Sequence, residues 1–239
     1  MRDRDPGNPV PAAQVRTMFD RIAPIYDAMN RVMTAGLDDR WRRSAVRATA
    51  LRAGGSVVDV ACGSGALTRP LARAVGSRGA VVGIDASGPM LRVAARRPPV
   101  AGSAPIRYRE GDALALPEAD DAFDAATIAF GLRNVADYRS CLAEMARVTR
   151  PGGRLVVLEL AAPTRGMARF AAATWFDRML PIVGRLAGGG SAYQYLPSSV
   201  RAYPRPADIA ELMREVGLQD VAWRPLALGM VTLHVATVS

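Results

Sequence analysis

The residue types able to do chemistry in this sequence are a few strand-end acids, one glycine loop and an arginine-asparagine pair. Asp59 sits near the end of an apolar run, Ser56 to Val60, and is followed by Cys62-Gly63-Ser64-Gly65. Gly63 and Gly65 lack a Cβ, so the backbone there can turn tightly and let a ligand lie against it. A dinucleotide fingerprint would need a third glycine where Thr68 stands. The chain contains no lysine, which excludes a P-loop. Two more acids follow: Asp85 at the end of a second apolar run, Ala80 to Ile84, and Asp112 after a third, Ile106 to Arg109. A carboxylate at the second strand end can accept both ribose hydroxyls of an adenosine, and Asp112 can accept from the exocyclic amine of an adenine. One glycine loop that needs no diphosphate, with two acids in register behind it, suits S-adenosylmethionine.

Placing those residues side by side requires an α/β sheet. Apolar runs at 56–60, 80–84, 106–109, 123–130 and 154–160 alternate with helical periods at 66–75, 87–96 and from Asp137 onward, with Ser87 and Asp137 as N-caps. This alternation predicts a mostly parallel sheet with helices on both faces, and ligands bind beyond the carboxyl ends of such strands. Asp59, Asp85, Asp112 and the pair Arg133-Asn134 all fall there. Helix 207–216 and two last strands, 221–223 and 230–237, bring the sheet to seven. Residues 1–12 read as a disordered lead-in, 13–52 as an N-terminal helical cap, 53–162 as the cofactor-binding core, 163–205 as an inserted helical cap and 206–239 as the closing helix and strands. The inserted cap carries Trp175, Phe176, Met179 and Leu180, a Gly188-Gly189-Gly190 hinge, and Tyr193, Tyr195 and Tyr203.

Composition narrows the function classes. Half of the 239 residues are hydrophobic, enough for a buried core. The formal charge of +9 would ordinarily point to nucleic acid or an anionic surface. All 31 basic residues are arginine, however, a pattern that a GC-rich genome produces by codon bias, and no aromatic-basic stripe for stacking bases is present. No nucleic-acid partner is expected. Cys62 and Cys141 form no disulfide framework and no C-x-x-C, so a cytoplasmic chain is the default. No uncharged apolar run reaches the roughly 18 residues of a membrane span; membrane contact, at the inner face, would be peripheral. A homodimer is compatible with the sequence.

Several stretches together resemble one family. Tyr26-Asp27-x-Met29-Asn30 with Gly36 and Trp41, Phe130-Gly131-Leu132-Arg133-Asn134-Val135, Arg147 to Gly153 ending in Glu159, and Tyr195-Leu196 with Ser199 and Arg201 are similar to the signatures of the quinone C-methyltransferases of menaquinone and ubiquinone biosynthesis. The resemblance runs from about Met18 to His234. It implies a class I, Rossmann-like methyltransferase fold and methyl transfer to a ring carbon of a prenylated hydroquinone, most simply demethylmenaquinol. It places the cofactor at Thr68, Asp85, Asp112 and Ala113, with Ala129 where a serine is common. It also places a catalytic network at Tyr26, Arg133 and Asn134. Four positions depart from the family pattern: Thr34, Asp38, Ala161 and Gln194. They leave the cofactor site intact and bear on the acceptor, so another phenolic or polyketide-like acceptor is the alternative expectation.

A ring carbon becomes a good nucleophile when an adjacent phenol loses its proton. With His234 the only histidine, no carboxylate-histidine dyad offers itself. Arg133 stays protonated and is expected to stabilise a phenolate or orient a water, with Asn134 and Tyr26 completing the hydrogen bonds. The competing structural expectations are an ion pair of Arg133 with Asp27 or Asp137, a helix-capping Asn134, and a packed strand histidine at His234.

Overall fold

The computed structural model describes residues 7–162 and 190–239, the stretch 190–194 as backbone only. The strand β1, Ser56–Val60, sits in the middle of the sheet because Val57, Val58 and Val60 are buried completely, as a parallel strand covered on both faces must be. It pairs in parallel with β2, Ala80–Asp85, and β4, Phe123–Ala129. Outside these lie β3, Ile106–Glu110, and β5, Thr149–Leu160, also parallel. Then β7, Val231–Thr237, enters antiparallel between β5 and β6, Gln219–Leu226. Among the described residues the sheet therefore has seven strands in the order β3-β2-β1-β4-β5-β7-β6.

Three helices precede the sheet: α1 Ala12–Ile22, α2 Tyr26–Met33 and α3 Asp38–Ala48. Helices α4 Thr68–Val75 and α5 Gly88–Ala95 follow β1 and β2, and α6 Tyr138–Arg147 follows β4. Ser87 and Asp137 cap as expected, accepting from the backbone N–H groups of Met90 and Ser140. Helices α7, Gly190–Ala202, and α8, Pro206–Glu215, lead to the last strands. Buried Ile22, Ala23 and Met29 pack with Met90, Leu196 and Val200, which clamps α1 and α2 against α5 and α7 above the strand ends.

Several boundaries differ from the sequence expectation. Helix α6 ends at Arg147 and β5 starts at Thr149, because Thr149 pairs with Phe123 and Gly152 donates to the Val238 carbonyl at 2.9 Å; the Pro-Gly-Gly turn is drawn into the sheet. Within the expected lead-in, Asn8 is 9% exposed and its N–H donates to the Val135 carbonyl at 2.8 Å. The helical stretch expected around Trp175, Phe176, Met179 and Leu180, and Gly188-Gly189 of the hinge, lie outside the described residues, while Gly190 opens α7. No helix among the described residues is long and apolar enough to cross a membrane.

Candidate active site

Strand β1 hands over to the glycine loop at Ala61, and the loop is fixed from behind. Asp85, at the end of β2, accepts from the Gly63 N–H at 2.7 Å and the Ser87 N–H at 2.8 Å, so its carboxylate is pinned in the cleft wall. Burial raises its pKa, and the two backbone donors work against that shift. At Gly63 the backbone is left-handed, φ +55°, and a Cβ there would meet nothing within 4 Å. That open space lies in a cleft of about 190 Å³, lined by Gly63, Asp85, Asp112, Ala113, Ala129 and Asn134 among others. Asp112 is exposed and accepts from the Leu114 N–H at 2.9 Å.

Gly65 and Thr68 build this cleft without lining it. A Cβ on Gly65 would fall 2.4 Å from the Tyr108 hydroxyl oxygen, so packing against Tyr108 requires a glycine there. Thr68 is completely buried and donates to Asp59 Oδ2 at 2.6 Å, while Thr127 donates to Oδ1 at 2.8 Å. Asp59 does reach the cleft wall. Burial at 1% exposure pushes its pKa up to about 6, against the two hydroxyl donors, which lower it. Cys62 also lines the cleft, and burial pushes its thiol well above the ordinary range.

The turn Phe130 to Asn134 ends β4. Phe130 adopts φ +59°, which a bulky residue takes only when its surroundings impose it. Its ring lies 6.3 Å from that of Trp41 and under the Arg42 guanidinium at 5.4 Å. Its carbonyl accepts from Arg133 Nη1 at 2.6 Å and Asn134 Nδ2 at 3.3 Å. Arg133 forms its ion pair with Glu159, Nη1 to Oε1 2.6 Å, and with neither Asp27 nor Asp137. Asp27 accepts from Ser64 at 2.6 Å and pairs with Arg97, and Asp137 is occupied capping α6. Burial opposes the charge on Arg133, but Glu159 outweighs it and holds the guanidinium protonated. Arg133 Nε has no partner among the described residues although it is buried. Asn134 caps no helix; its Oδ1 accepts from the Tyr195 hydroxyl at 2.9 Å. His234 is a fully buried strand residue with Nε2 2.9 Å from the Pro206 carbonyl oxygen, and it lines neither cavity.

A second cavity, about 390 Å³, opens on the other side of this turn. Its walls are mostly apolar, from Met18, Ile22, Met29, Met33, Trp41 and Leu160, with Arg133 and Tyr195 among the few polar groups. Phe19, Tyr26, Arg42 and Phe130 line both cavities. The expected trio is thus brought to one partition: Tyr26 borders both spaces, Asn134 the cleft and Arg133 the apolar chamber. Of the four departures, Thr34 and Asp38 lie on the chamber wall and compensate each other, since Thr34 donates to Asp38 at 2.8 Å and Asp38 pairs with Arg42. Burial pushes the Asp38 carboxyl up, and Arg42 and Thr34 together bring it below the usual value. Ala161 is buried with its N–H on the Met230 carbonyl, and the Gln194 side chain lies outside the described residues.

Glu159, Phe130, Arg42, Tyr195 and Asn8 were not singled out as site residues from the sequence. Phe130 and Glu159 lie in two of the quoted signatures, and Tyr195 in a third, so a signal was present for those. Nothing local marks Asn8.

Comparison with known proteins agrees with this geometry. Residues 9–238 match the model of the ubiE/COQ5 methyltransferase family. A demethylmenaquinone methyltransferase of Thermus thermophilus is 45% identical over 91% of this chain and 98% of that relative. A ubiquinone/menaquinone biosynthesis C-methyltransferase of Geobacter sulfurreducens is 42% identical over 92% of this chain and 87% of its own length. Among solved structures, a SAM-dependent methyltransferase from Thermotoga maritima superposes with a TM-score of 0.66 at 18% identity, covering 94% of this chain and all of that one. The [4+2]-cyclase SpnF superposes with a TM-score of 0.70 at 19% identity, covering 97% and 98%. These two structural likenesses speak for the fold alone, since one fold hosts many chemistries.

Proposed function

This chain belongs to the ubiE/COQ5 methyltransferase family and uses S-adenosylmethionine, and we propose that it methylates a ring carbon of a prenylated hydroquinone, demethylmenaquinol before others. The observation that carries this reading is the shared wall: a polar, acid-lined cleft and a larger apolar chamber meet at Tyr26 and Phe130, with a buried cation, Arg133, on the chamber side. The cleft suits the cofactor. Gly63 leaves room where a side chain would stand, Asp85 is fixed at the β2 end, and Ile84, Met90, Ala113 and Leu114 supply apolar surface for an adenine. Bound there, the sulfonium supplies an electrophilic methyl group for in-line displacement.

The protein's task is then to align a carbon nucleophile within about 3 to 3.5 Å of the transferring group and to keep water out. We assign the ring to the partition, between Phe130 and Tyr26, and the prenyl tail to the Met and aromatic walls of the chamber. Arg133 remains charged and is fastened by Glu159, and its guanidinium is assigned to the negative charge of a developing phenolate. Asn134 and Tyr26 complete the hydrogen bonds to the hydroxyl or to a water that takes its proton. Asp59, Asp85, Asp112, Ala113 and Ala129 are assigned to the cofactor, with Gly65 and Thr68 supporting them from behind.

The mouth of the chamber adds a finer proposal. Ile25 and Leu37 are 38% and 49% exposed and Val32 is 60% exposed, beside exposed Arg21, Arg31 and Arg40. Ile25 is the N-cap of α2 and Val32 lies seven residues on, in its last turn. We assign this rim to peripheral contact with an anionic bilayer, from which a long-tailed quinol enters.

The second reading, another phenolic or polyketide-like acceptor, rests on the Thr34-Asp38-Arg42 group, which stands in the chamber wall where the family pattern differs. An acceptor panel separates the two: purified protein, labelled cofactor, and short-chain demethylmenaquinol beside a ubiquinol precursor and an unprenylated naphthoquinol. Turnover on the demethylmenaquinol is expected. Cofactor binding with no transfer to any of the three would leave the enzyme class and remove the quinone.

A further inference from the structure

The first described residues do more than precede α1. Gly7 is pressed against the loop after β4, where a Cβ would come within 1.8 Å of the Ala136 carbonyl oxygen. Asn8 bonds to the Val135 carbonyl, and the chain then bends at Pro9 and Val10 to reach α1 at Ala12. Val135 and Ala136 line the cleft on one side, and Ala12, Val15 and Arg16 line it on the α1 side. Helix α1 is itself tied to the far rim: Asp20 accepts from Ser87 at 2.5 Å, and Arg16 pairs with Glu110 at 3.1 Å. Residues 7–22 therefore form a strap from the end of β4 to the ends of β2 and β3.

The fastening of that strap has a defined direction. Asn8 Oδ1 accepts from the Val10 N–H at 3.0 Å, so the opposite amide atom, Nδ2, is the one that donates to the Tyr195 hydroxyl. At the other end Asn134 Nδ2 donates to the Phe130 carbonyl, so Asn134 Oδ1 must accept, and its donor is the Tyr195 hydroxyl at 2.9 Å. Two backbone groups, the Val10 N–H and the Phe130 carbonyl, thereby orient both amides. Tyr195 spends its one proton on Asn134 and one lone pair on Asn8. Its second lone pair is left for a donor in the apolar chamber, which Tyr195 also lines.

We propose that Asn8 is a positioning residue: it latches the strap across the cofactor cleft onto Tyr195, and so sets the orientation of Tyr195 and Asn134 toward the acceptor's hydroxyl. This rests on the methyltransferase reading for the acceptor side only; the latch itself is a statement about the cleft. Enclosing the cofactor and arranging the acceptor groups are then one event, because a single hydrogen-bonded line, Asn8 to Tyr195 to Asn134, joins the two spaces.

Three variants test it. Asn8→Ala removes the latch. Asn8→Asp keeps the acceptor for Val10 but has no amide donor, so it draws the Tyr195 proton away from Asn134 while the turn survives. Tyr195→Phe removes the middle of the line. With S-adenosylhomocysteine as probe, Asn8→Ala should dissociate it about tenfold faster than the parent protein, the scale of one lost hydrogen bond. In turnover with short-chain demethylmenaquinol, Asn8→Asp should lower kcat about tenfold with little change in the cofactor KM or in Tm. The Asn8→Asp/Tyr195→Phe double variant should be no worse than Tyr195→Phe alone. Parent-like dissociation from Asn8→Ala would overturn the latch, and full additivity of Asn8→Asp with Tyr195→Phe would overturn the line. If the parent protein methylated no quinol, the proposed acceptor would fall while the dissociation experiment still decided the latch.

Discussion

One carboxylate, Glu159, holds Arg133 twice: Oε1 lies 2.6 Å from the guanidinium Nη1 and Oε2 lies 3.1 Å from the Arg133 backbone nitrogen. Arg133 is 5% exposed and Glu159 is buried completely. The pair therefore sets both the charge and the shape of the turn between cleft and chamber.

Breaking that pair leaves a buried charge unmatched, which costs about 3–5 kcal/mol. Glu159→Gln is expected to lose stability on this scale in urea or thermal unfolding, and to lose turnover with it. Arg133→Lys keeps the charge but not the planar fork. It should unfold closer to the parent protein while kcat falls about a hundredfold, the scale of one lost donor at a developing oxyanion. A fold-preserving Arg133→Lys with parent kcat would remove Arg133 from the mechanism.

With Asp59 assigned to the cofactor, stability and cofactor binding are expected to run in opposite directions with pH. The folded pKa of Asp59, about 6, lies above its ordinary 3.8. Between roughly pH 4 and pH 6 the folded protein therefore keeps a proton that the unfolded chain has lost, and stability falls as pH rises through that window, by about 3 kcal/mol. Binding a cationic cofactor favours the ionised carboxylate, so affinity should weaken as pH drops below about 6. Asp59→Asn can still accept a hydroxyl at its carbonyl oxygen and needs no ionisation. It should unfold at higher denaturant than the parent at pH 8 and bind S-adenosylmethionine at least tenfold more weakly by calorimetry, a loss of about 1.4 kcal/mol or more.

The ring of Phe130 is the shared partition, held in place by Trp41 and Arg42 in spite of a left-handed backbone. Phe130→Gly relieves strain of about 1–3 kcal/mol and removes the wall. Unfolding should therefore be affected less than for an ordinary buried aromatic, for which loss of the side chain costs about 3–5 kcal/mol. Steady-state kinetics should show kcat down by about tenfold or more. Parent-like turnover would mean that the ring does not align the acceptor.

The apolar rim predicts a dependence on how the acceptor is presented. Ile25→Glu and Val32→Glu, at side chains that line neither cavity, should reduce binding to anionic vesicles in sedimentation and slow methylation of a long-tailed quinol embedded in them. A short-chain acceptor in free solution should be methylated at the parent rate, because these side chains lie at the mouth and not at the partition. Equal loss on both acceptors would assign them to the chamber itself.

Much of the fold and part of the site could be read from local patterns. Val57, Val58 and Val60 read as a doubly covered strand, and Asp85 and Asp112 fall at strand ends beside the cleft as expected. What escaped local reading were partnerships across long stretches of chain. Asn8, in a charged Pro-Gly lead-in, finds its partner 187 residues away, and Arg133 passes over the nearby Asp137 for Glu159, which the pairing of β4 with β5 brings close. Gly65 and Thr68 match a ligand loop by type and spacing, yet packing against Tyr108 and a bond to Asp59 claim them first. Periodicity reports which face of an element is covered, and it cannot report what covers it.

The most direct test of the central claim is where the methyl group goes. Purified protein is given carbon-13 methyl-labelled S-adenosylmethionine and short-chain demethylmenaquinol, and the product is examined by NMR. A label bonded to the ring carbon is the predicted result. A label on a hydroxyl oxygen, or cofactor bound with none transferred, would contradict it.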